Sequence, residues 1–419
     1  MKKVLAVILS LMLLITAAGA AMAEDHAPVT LEVCIVDTNW ADAWPEMKAS
    51  FEAQYPWITL ESVGSDQNIT EFISARIAAK DLPGVIKCTP SDIYLDMADG
   101  GLLLDLTGKE CISNTPQKYL DPYTHNGVLL GIPQGASFSA LYLNTDALKE
   151  AGWENPPTNW DEFLACCKDI KEKTSYAPLL INGDHHTICW MLYELMLANC
   201  FEKPEDSAMY EASMRDGSFD FTKYPEAAAK LEAVIPYLMT GSASTTQDDA
   251  VAIMAEGGAA MLLGGNWVSA SALAAIDKHC GHEGAGLAIF PPFNNAGKDL
   301  WISSSTEAGF GLTAQDDPAV AEAAELFLTW VFKPENLRII QNARGTVPVI
   351  TDMPAEMIVL PEGIKALVPQ VAQTNSILMG YNLYNAEFKD AVMTALRDAY
   401  AGNGTVQAAV DAMMKYIKK

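Results

Sequence analysis

The chain has 419 residues and a formal net charge of −26, and half of its residues are hydrophobic. Such acidity argues against nucleic acid and anionic lipid as partners, because both carry the same sign of charge. The length exceeds what a single hydrophobic core usually supports, so we expect two large lobes.

The first 23 residues are typical of a secretory signal peptide. The basic start MKK precedes an apolar run from Val4 to about Ala18, and Ala21 and Ala23 then form an A-x-A cleavage site. A membrane anchor is the alternative, but the apolar run is shorter than the roughly 20 residues of a spanning helix. We therefore expect export, with cleavage after Ala23.

The predicted mature chain, residues 24–419, has a net charge of −28, because the signal peptide contains two lysines and no acidic residue. No second long apolar stretch follows, which argues against a multi-span transporter. The first cysteine is Cys34, so no cysteine at the cleavage site is available to accept a lipid. We expect a soluble protein that is periplasmic or extracellular.

Eight cysteines are present, and their spacing matches no zinc or redox motif. An even number permits up to four disulfides, whose pairing the sequence leaves open, and buried free thiols fit equally well. The cysteines are Cys34, Cys88, Cys111, Cys166, Cys167, Cys189, Cys200 and Cys280.

Strands and helices alternate from the start of the predicted mature chain, which indicates an α/β architecture. Two neighbouring strands further on, at 127–133 and 136–144, are expected to leave the first lobe and enter the second. Before them, strands are predicted at 30–36, 57–63 and 84–88, and helices at 43–54, 68–79 and 93–98.

The second lobe is also predicted to be α/β, with helices at 158–175 and 187–200 and a strand at 178–182 between them. A second crossing is expected near 287–295, where two prolines end a strand. Helices are expected to fill the C-terminal third. These boundaries assign 24–136 and 291–334 to the N-terminal lobe, and 137–290 and 335–419 to the C-terminal lobe.

Several separated segments resemble one known family, the extracellular solute-binding proteins of family 1, which include maltose-binding protein and serve sugar ABC importers. The most specific is LYLNTDALKEAGWENPPTNWDEF at 141–163. The other segments are FEAQYPWITLE (51–61), GGLLLDLT (100–107), GVLLGIP (127–133), MAEGGAAMLLGGNW (254–267) and AAELFLTWVFKPENLRIIQNARGTVPV (323–349). Two positions depart from the pattern: Gly84 replaces an acidic residue and Leu130 replaces an aromatic one.

The resemblance implies a two-lobe periplasmic-binding-protein fold of type II, in which each lobe is a mixed sheet flanked by helices and the ligand cleft lies between them. It also implies a sugar or oligosaccharide as ligand, ABC transporter permease subunits as partners, and no catalysis. We expect a monomer that needs no cofactor.

A sugar site needs flat aromatic surfaces for the C–H faces of the ring and planar polar groups for its hydroxyls. Trp267 follows two glycines after an apolar strand, and we expect its indole to project into the cleft, although a core position is the alternative. Trp40, Asp66 and Asp92 each follow a predicted parallel strand, where α/β sheets place ligand loops; helix N-caps are the alternative for the two acids.

In the second lobe, Asp184 and His185 follow a predicted strand, and the resemblance adds Tyr381 and Tyr384. Trp301 is expected on the returning segment of the first lobe, with Glu307 beyond it as an acceptor for hydroxyl groups. The complete set of candidate ligand-binding residues is Trp40, Asp66, Asp92, Asp184, His185, Gly265, Asn266, Trp267, Trp301, Glu307, Tyr381 and Tyr384.

Two further functions remain open at this stage. A polyamine or metal-ion cargo would use the acidic residues and an aromatic cage, but the acidic residues are scattered. A secreted glycan-active hydrolase would need paired carboxylates, and the sequence contains no nucleophile elbow or HExxH motif. Asp184, His185 and His186 are adjacent but lack an evident third ligand, so we expect no metal site.

Overall fold

The structure is a computed structural model that describes residues 26–34, 43–64, 69–89, 92–282, 285–371, 373–379 and 386–417. The predicted signal peptide lies outside these ranges. The strands are β1 (Val29–Cys34), β2 (Ile58–Val63), β3 (Val85–Cys88), β4 (Thr124–His125), β5 (Val128–Leu129), β6 (Ile132–Pro133), β7 (Ala136–Asn144), β8 (Ala177–Ile181), β9 (Ala259–Gly265), β10 (Gly286–Ile289), β11 (Trp301–Thr306), β12 (Gly309–Leu312) and β13 (Asn375–Leu378).

The helices connect the strands and contribute side chains to the cores of both lobes. The α-helices are α1 (Trp44–Gln54), α2 (Ile69–Ala79), α3 (Asp92–Asp99), α4 (Gln117–Leu120), α5 (Thr145–Glu150), α6 (Trp160–Lys173), α7 (His186–Ala198), α8 (Glu205–Arg215), α9 (Pro225–Val234), α10 (Gln247–Ala255), α11 (Ser269–Cys280), α12 (Pro318–Val331), α13 (Pro334–Arg344), α14 (Glu362–Lys365), α15 (Val368–Val371), α16 (Ala386–Tyr400) and α17 (Val406–Ile417). In the part of the chain that the structure describes, none of them has the length and apolar character needed to cross a membrane.

α6 illustrates how local sequence determines a helix. Its N-cap is Asn159, whose side-chain oxygen accepts a hydrogen bond from the backbone N–H of Glu162 at 3.1 Å. Phe163, Cys167 and Ile170 then recur at spacings of four and three residues, and all three are buried. This spacing places them on one face of the helix, which packs into the core of the second lobe.

The first lobe is built on a five-stranded sheet in the order β2-β1-β3-β12-β6. β1, β2 and β3 are parallel, whereas β12 runs antiparallel to both β3 and β6. Its core includes alternate residues of β1, such as Leu31 and Val33, together with side chains from α1 and α12. Phe51 of α1 lies edge-on to Phe327 and Trp330 of α12, with centroids 5.3 and 5.4 Å apart.

The second lobe is built on a six-stranded sheet in the order β13-β11-β7-β9-β8, with β10 also paired to β7. Every residue of β7 is buried, as expected for a central strand covered on both faces. Leu141 and Leu143 contribute to the core on one face of the sheet, whereas Ala140 and Tyr142 contribute to the core on the other. Both lobes are therefore α/β, and the predicted two-lobe fold is confirmed.

The chain crosses between the lobes at three places, and two of them differ from the sequence prediction. The first crossing joins β6 of the first sheet to β7 of the second. The return does not occur near residue 291, because β10 and β11 both pair with β7 in the second sheet, and the chain rejoins the first sheet only at β12. The prolines at 291 and 292 end β10 but keep the chain in the second lobe, where Phe293 is fully buried.

The third crossing follows α13 rather than preceding it. Leu337 and Ile340 of α13 are buried in the core of the first lobe, although the sequence prediction assigned residues from 335 onward to the second lobe. Further along, Ile364 and Leu367 are buried in the core of the second lobe. Tertiary packing extends the returning segment of the first lobe beyond α13, because Ile350 is also buried in that core and the N–H of Thr351 donates to the carbonyl of Asn114 at 2.9 Å.

All eight cysteines lie within the described residues, and all are free thiols. Six are buried, and Cys200 and Cys280 are half-buried. Burial raises the pKa of Cys88 to about 12 and that of Cys189 to about 12, which keeps both thiols protonated and unreactive. Of the two alternatives that the sequence left open, the structure favours buried thiols.

Candidate ligand cleft

Both sheets present the carboxyl ends of their parallel strands toward the junction between the lobes. Gly309, the first residue of β12, pairs with Cys88, the last residue of β3. In the second sheet, Thr306 at the end of β11 pairs with Ala136 at the start of β7. The crossing segments therefore leave each sheet at the edge where α/β proteins place their ligand loops, which defines the candidate cleft.

Two crossing segments and the segment that follows α13 lie side by side at the bottom of this cleft, and we call residues 134–137, 306–309 and 345–347 the hinge. The backbone N–H of Ala136 donates to the carbonyl of Val347 at 2.8 Å, and the reverse bond is 3.1 Å long. The N–H of Glu307 donates to the carbonyl of Gly135 at 2.8 Å. These bonds couple the segments, so the lobes are joined by a small sheet-like connection rather than by one loop.

Asn266 links the end of β9 to this hinge. Its side chain is completely buried: Oδ1 accepts from the N–H of Phe138 at 2.7 Å, and Nδ2 donates to the carbonyl of Gly345 at 3.0 Å. Both ends of the amide are thus engaged by backbone groups. In this structure the candidate residue Asn266 lies beneath the cleft and stabilises the hinge.

Gly265 and Trp267 form a close pair at the edge of the second sheet. A Cβ atom built on Gly265 would lie 2.0 Å from Cζ3 of Trp267 and 2.2 Å from Cη2. The indole therefore lies directly against the Gly265 backbone, whose carbonyl accepts a hydrogen bond from the Tyr142 hydroxyl at 2.7 Å. Trp267 is half-buried and packs against both cores of the second lobe, at the carboxyl end of β9.

Asp184 and His185 lie in the loop after β8, and both side chains are exposed. Arg397 of α16 holds this loop, since its Nε donates to the carbonyl of Gly183 at 2.9 Å and its Nη2 donates to the carbonyl of Asp184. The loop continues from the same carboxyl edge as β9, because β8 and β9 are parallel. The structure therefore brings Asp184, His185 and Trp267 to one edge of the second sheet.

Trp301 and Glu307 occupy different environments. Trp301 is 2% exposed and lies edge-on to Phe201, with centroids 5.4 Å apart, in the core of the second lobe. It offers no free face to a ligand, because it begins β11, at the end of that strand remote from the hinge.

Glu307 is half-buried in the hinge, and its carboxylate accepts a hydrogen bond from the hydroxyl of Ser137. Burial raises the pKa of Glu307, whereas the bond from Ser137 and the charge of Lys87 oppose that rise.

Four candidates, Trp40, Asp66, Tyr381 and Tyr384, lie outside the described residues. Asp92 is the first residue of α3, which starts shortly after the carboxyl end of β3. Among the described residues, no three His, Cys, Asp or Glu side chains are grouped so that they could hold a metal ion.

A cavity that sequence reasoning missed lies between the lobes, at the β11 and β13 end of the second sheet edge. Its volume is about 720 Å³, and its lining is rich in hydroxyl groups. The run SSST at 303–306 is the only local signal of it, because its walls come from segments far apart in sequence. We call it the edge cavity; its polar lining includes Tyr119, Asp121, Thr124, Ser137, Glu211, Arg215, Ser304, Ser305, Thr306, Thr374 and Ser376.

Comparison with known proteins supports the fold over nearly the whole chain. A solved structure described as a chitin oligosaccharide binding protein superposes with a TM-score of 0.75 at 20% identity, covering 93% of this chain and 98% of that one. A putative binding protein of Brucella abortus is 31% identical over 159 residues, which are 36% of this chain and 38% of the relative. The multiple sugar-binding protein of Streptococcus mutans is 28% identical over 29% of each chain.

These curated relatives are thus matched over well under half of their length. The family comparison reaches further, because the profile of bacterial extracellular solute-binding proteins matches residues 46–367. That range includes β2 through α14 and all three crossings between the lobes. The resemblance seen in the separated sequence segments is thereby confirmed, and the chain belongs to the bacterial extracellular solute-binding proteins.

Proposed function

We propose that this protein is the capture subunit of an ABC importer and that it binds a sugar or oligosaccharide between its lobes. The observation that carries the proposal is the position of the half-buried Trp267, whose indole lies against Gly265 at the carboxyl end of β9. A flat aromatic surface of this kind suits the C–H face of a sugar ring. The names of the Streptococcus mutans relative and of the chitin oligosaccharide binding protein favour the same ligand class.

The hinge gives binding a mechanical consequence. A ligand that contacts both lobes has its full set of contacts only when the lobes are closed, so it shifts the population toward the closed form. The permease subunits in the membrane would then recognise that closed form and receive the sugar. The cargo would be delivered unchanged, without catalysis by this chain.

Export through the N-terminal signal, with cleavage after Ala23, completes this proposal. The acidic mature protein would then work outside the cytoplasm, in the periplasm or at the cell exterior, as a soluble monomer. N-terminal sequencing of the secreted protein tests the cleavage position, and an intact N-terminus on the secreted protein would contradict it.

A thermal-shift screen of the purified mature protein tests the ligand class, because a ligand that binds only the folded state raises the melting temperature. The screen compares mono- and oligosaccharides, polyamines and divalent metal ions. We expect stabilisation by at least one sugar. Stabilisation by a polyamine or a metal ion alone would refute the sugar proposal, and release of shorter glycans during incubation would favour a hydrolase.

The role of Trp267 is tested by Trp267→Ala, which should weaken sugar binding by about 1–3 kcal/mol, by analogy with other aromatic stacking sites. Trp57→Ala is the matched control. Trp57 is also half-buried, but it lies just before β2, at the edge of the first sheet opposite the cleft, and stacks on His26 with centroids 4.0 Å apart. Equal affinity of the folded Trp267 variant and the wild-type protein would refute the stacking role.

A further inference from the structure

The central strand β7 changes its neighbour along its length. Residues 136–138 pair with β11, whereas residues 141–144 pair with β10. The backbone ladder between β7 and β11 therefore stops just before Ser139 and Ser303, the next residue on each strand, and we call this place the fork. Residues 304–306 of β11 line the edge cavity, so the fork adjoins that lining.

Buried side chains replace the ladder at the fork. The hydroxyl of Ser139 accepts a hydrogen bond from the backbone N–H of Ser303 at 3.1 Å. The hydroxyl of Ser303 donates to Oε2 of Glu194 at 2.7 Å, and the indole N–H of Trp190 donates to Oε1 of Glu194 at 2.9 Å. The side chain of Asn199 bonds both backbone groups of the first residue of β11 at 3.0 Å. Glu194 and Asn199 both belong to α7 or its end, so this helix holds β11.

Glu194 is 1% exposed, and a carboxylate at this depth costs free energy unless hydrogen bonds replace its lost water. Its two oxygens accept from two donors at once, and hydrogen bonds to a charged acceptor are about twice as strong as neutral ones. The bond from Ser303 is therefore a strong tie between α7 and β11. The bond from Trp190 lies within α7 and ties the helix only to itself.

The sequence of β11 does little to fix the register of the strand. Trp301 and Ile302 are both large and apolar, and they are buried in opposite cores of the second lobe. Three serines follow, at 303–305. A shift by one residue would exchange the two faces of the strand, yet most positions would exchange like for like. Such a shift would change which hydroxyl groups reach the edge cavity, and the tie from Ser303 to Glu194 opposes it.

We infer that Glu194 is a positioning residue for ligand binding, which holds Ser303 and thereby keeps the hydroxyl groups of residues 304–306 in the wall of the edge cavity. Both Glu194 and Ser303 are buried, so they act on a ligand only through β11. The effect on affinity rests on the sugar-binding function proposed above, whereas the effect on the order of β11 does not.

Two variants each remove one donor from the same carboxylate. Ser303→Ala breaks the tie between α7 and β11. Trp190→Phe breaks the bond within α7 and is the matched control. Because Trp190→Phe also removes part of a buried ring, it should cost at least as much stability as Ser303→Ala, which melting curves measure.

Hydrogen exchange followed by mass spectrometry measures the order of β11 in the ligand-free protein. We expect peptides that cover residues 301–306 to exchange at least about tenfold faster in Ser303→Ala than in the wild type, because a bond to a charged group is lost. In Trp190→Phe these peptides should exchange at the wild-type rate. Wild-type exchange in Ser303→Ala, or equal acceleration in both variants, would overturn the positioning role.

Isothermal titration with glucose, maltose, cellobiose and chitobiose measures the consequence for binding. For each sugar that binds the wild type, Ser303→Ala should lower the affinity about tenfold, whereas Trp190→Phe should change it by less than about twofold. Glu194→Gln should stay near the wild type, because its amide oxygen still accepts from Trp190 and its NH₂ group can donate to the hydroxyl of Ser303. Glu194→Leu offers neither contact and should resemble Ser303→Ala.

Equal losses of affinity in Ser303→Ala and Trp190→Phe would show that affinity follows stability alone and would overturn the positioning role. Wild-type affinity in Ser303→Ala would overturn it as well. Absence of binding by every sugar to the wild type would instead overturn the proposed function, and the exchange comparison would still decide whether Glu194 positions β11.

Discussion

Gly265→Ala tests the packing of Trp267 with a single methyl group. Gly265 has φ −116° and ψ 170°, a conformation that any residue adopts, so the backbone itself does not require glycine. The new Cβ would lie 2.0 Å from the indole, far inside van der Waals contact, and the ring must move. Gly264→Ala is the neighbouring control, because its nearest contact, with Cγ2 of Val268 at 3.1 Å, is relieved by a few tenths of an ångström.

We expect Gly265→Ala to cost about 1–3 kcal/mol of stability, as for other overpacked sites, or about 2–4 °C in melting temperature per kcal/mol for a lobe of this size. Sugar affinity should fall toward that of Trp267→Ala. Because the strain comes from the indole, Gly265→Ala should cost little in a Trp267→Ala background. Melting curves and titrations of the two single variants and the double variant measure this coupling. Additive losses of stability in the double variant would refute the reasoning.

Three other perturbations address the hinge and the core. Asn266→Ala leaves the N–H of Phe138 and the carbonyl of Gly345 without their side-chain partner, which costs about 1–3 kcal/mol for each group. Chemical denaturation should therefore show a large loss of stability, and wild-type stability of the variant would contradict the role of Asn266 in the hinge. Glu307→Gln removes a carboxyl group whose pKa in the folded protein is raised above its ordinary value of 4.5. The stability of the wild type relative to this variant should therefore fall as the pH rises from 4 to 8. Melting curves that show this difference growing with pH would contradict the prediction. A reducing agent should leave the melting temperature unchanged, because all eight cysteines are free thiols, and a melting temperature that falls on reduction would instead indicate disulfides. Thiol-labelling reagents should react slowly with the native protein at pH 8, since burial raises the pKa of Cys280 to about 11.

Trp301 shows what the sequence alone could not decide about the candidate tryptophans. Trp267 and Trp301 both adjoin apolar strands, and sequence alone gives no strong reason to separate them. The difference lies in the position along the strand: β9 and β11 both run antiparallel to β7, but Trp267 follows the carboxyl end of β9, whereas Trp301 stands at the amino end of β11. One tryptophan therefore reaches the cleft edge, and the other reaches the core at the remote end.

The crossings show the same limit. Pro291 and Pro292 correctly predicted the end of a strand, because proline cannot donate to the ladder. They carried no information about which lobe the chain entered next. That choice depends on pairing of β10 and β11 with β7, between residues more than a hundred positions apart in sequence.

The sequence by itself determined the α/β alternation, the exact span of β7 and the approximate bounds of α1 and α6, because caps, prolines and hydrophobic periodicity act within one or two turns. It also determined the family, through separated segments in the right order. Only the tertiary structure decided the return point of the chain, the burial of Asn266 in the hinge and the existence of the edge cavity. These depend on long-range strand pairing and on side chains from distant segments that become neighbours only after folding.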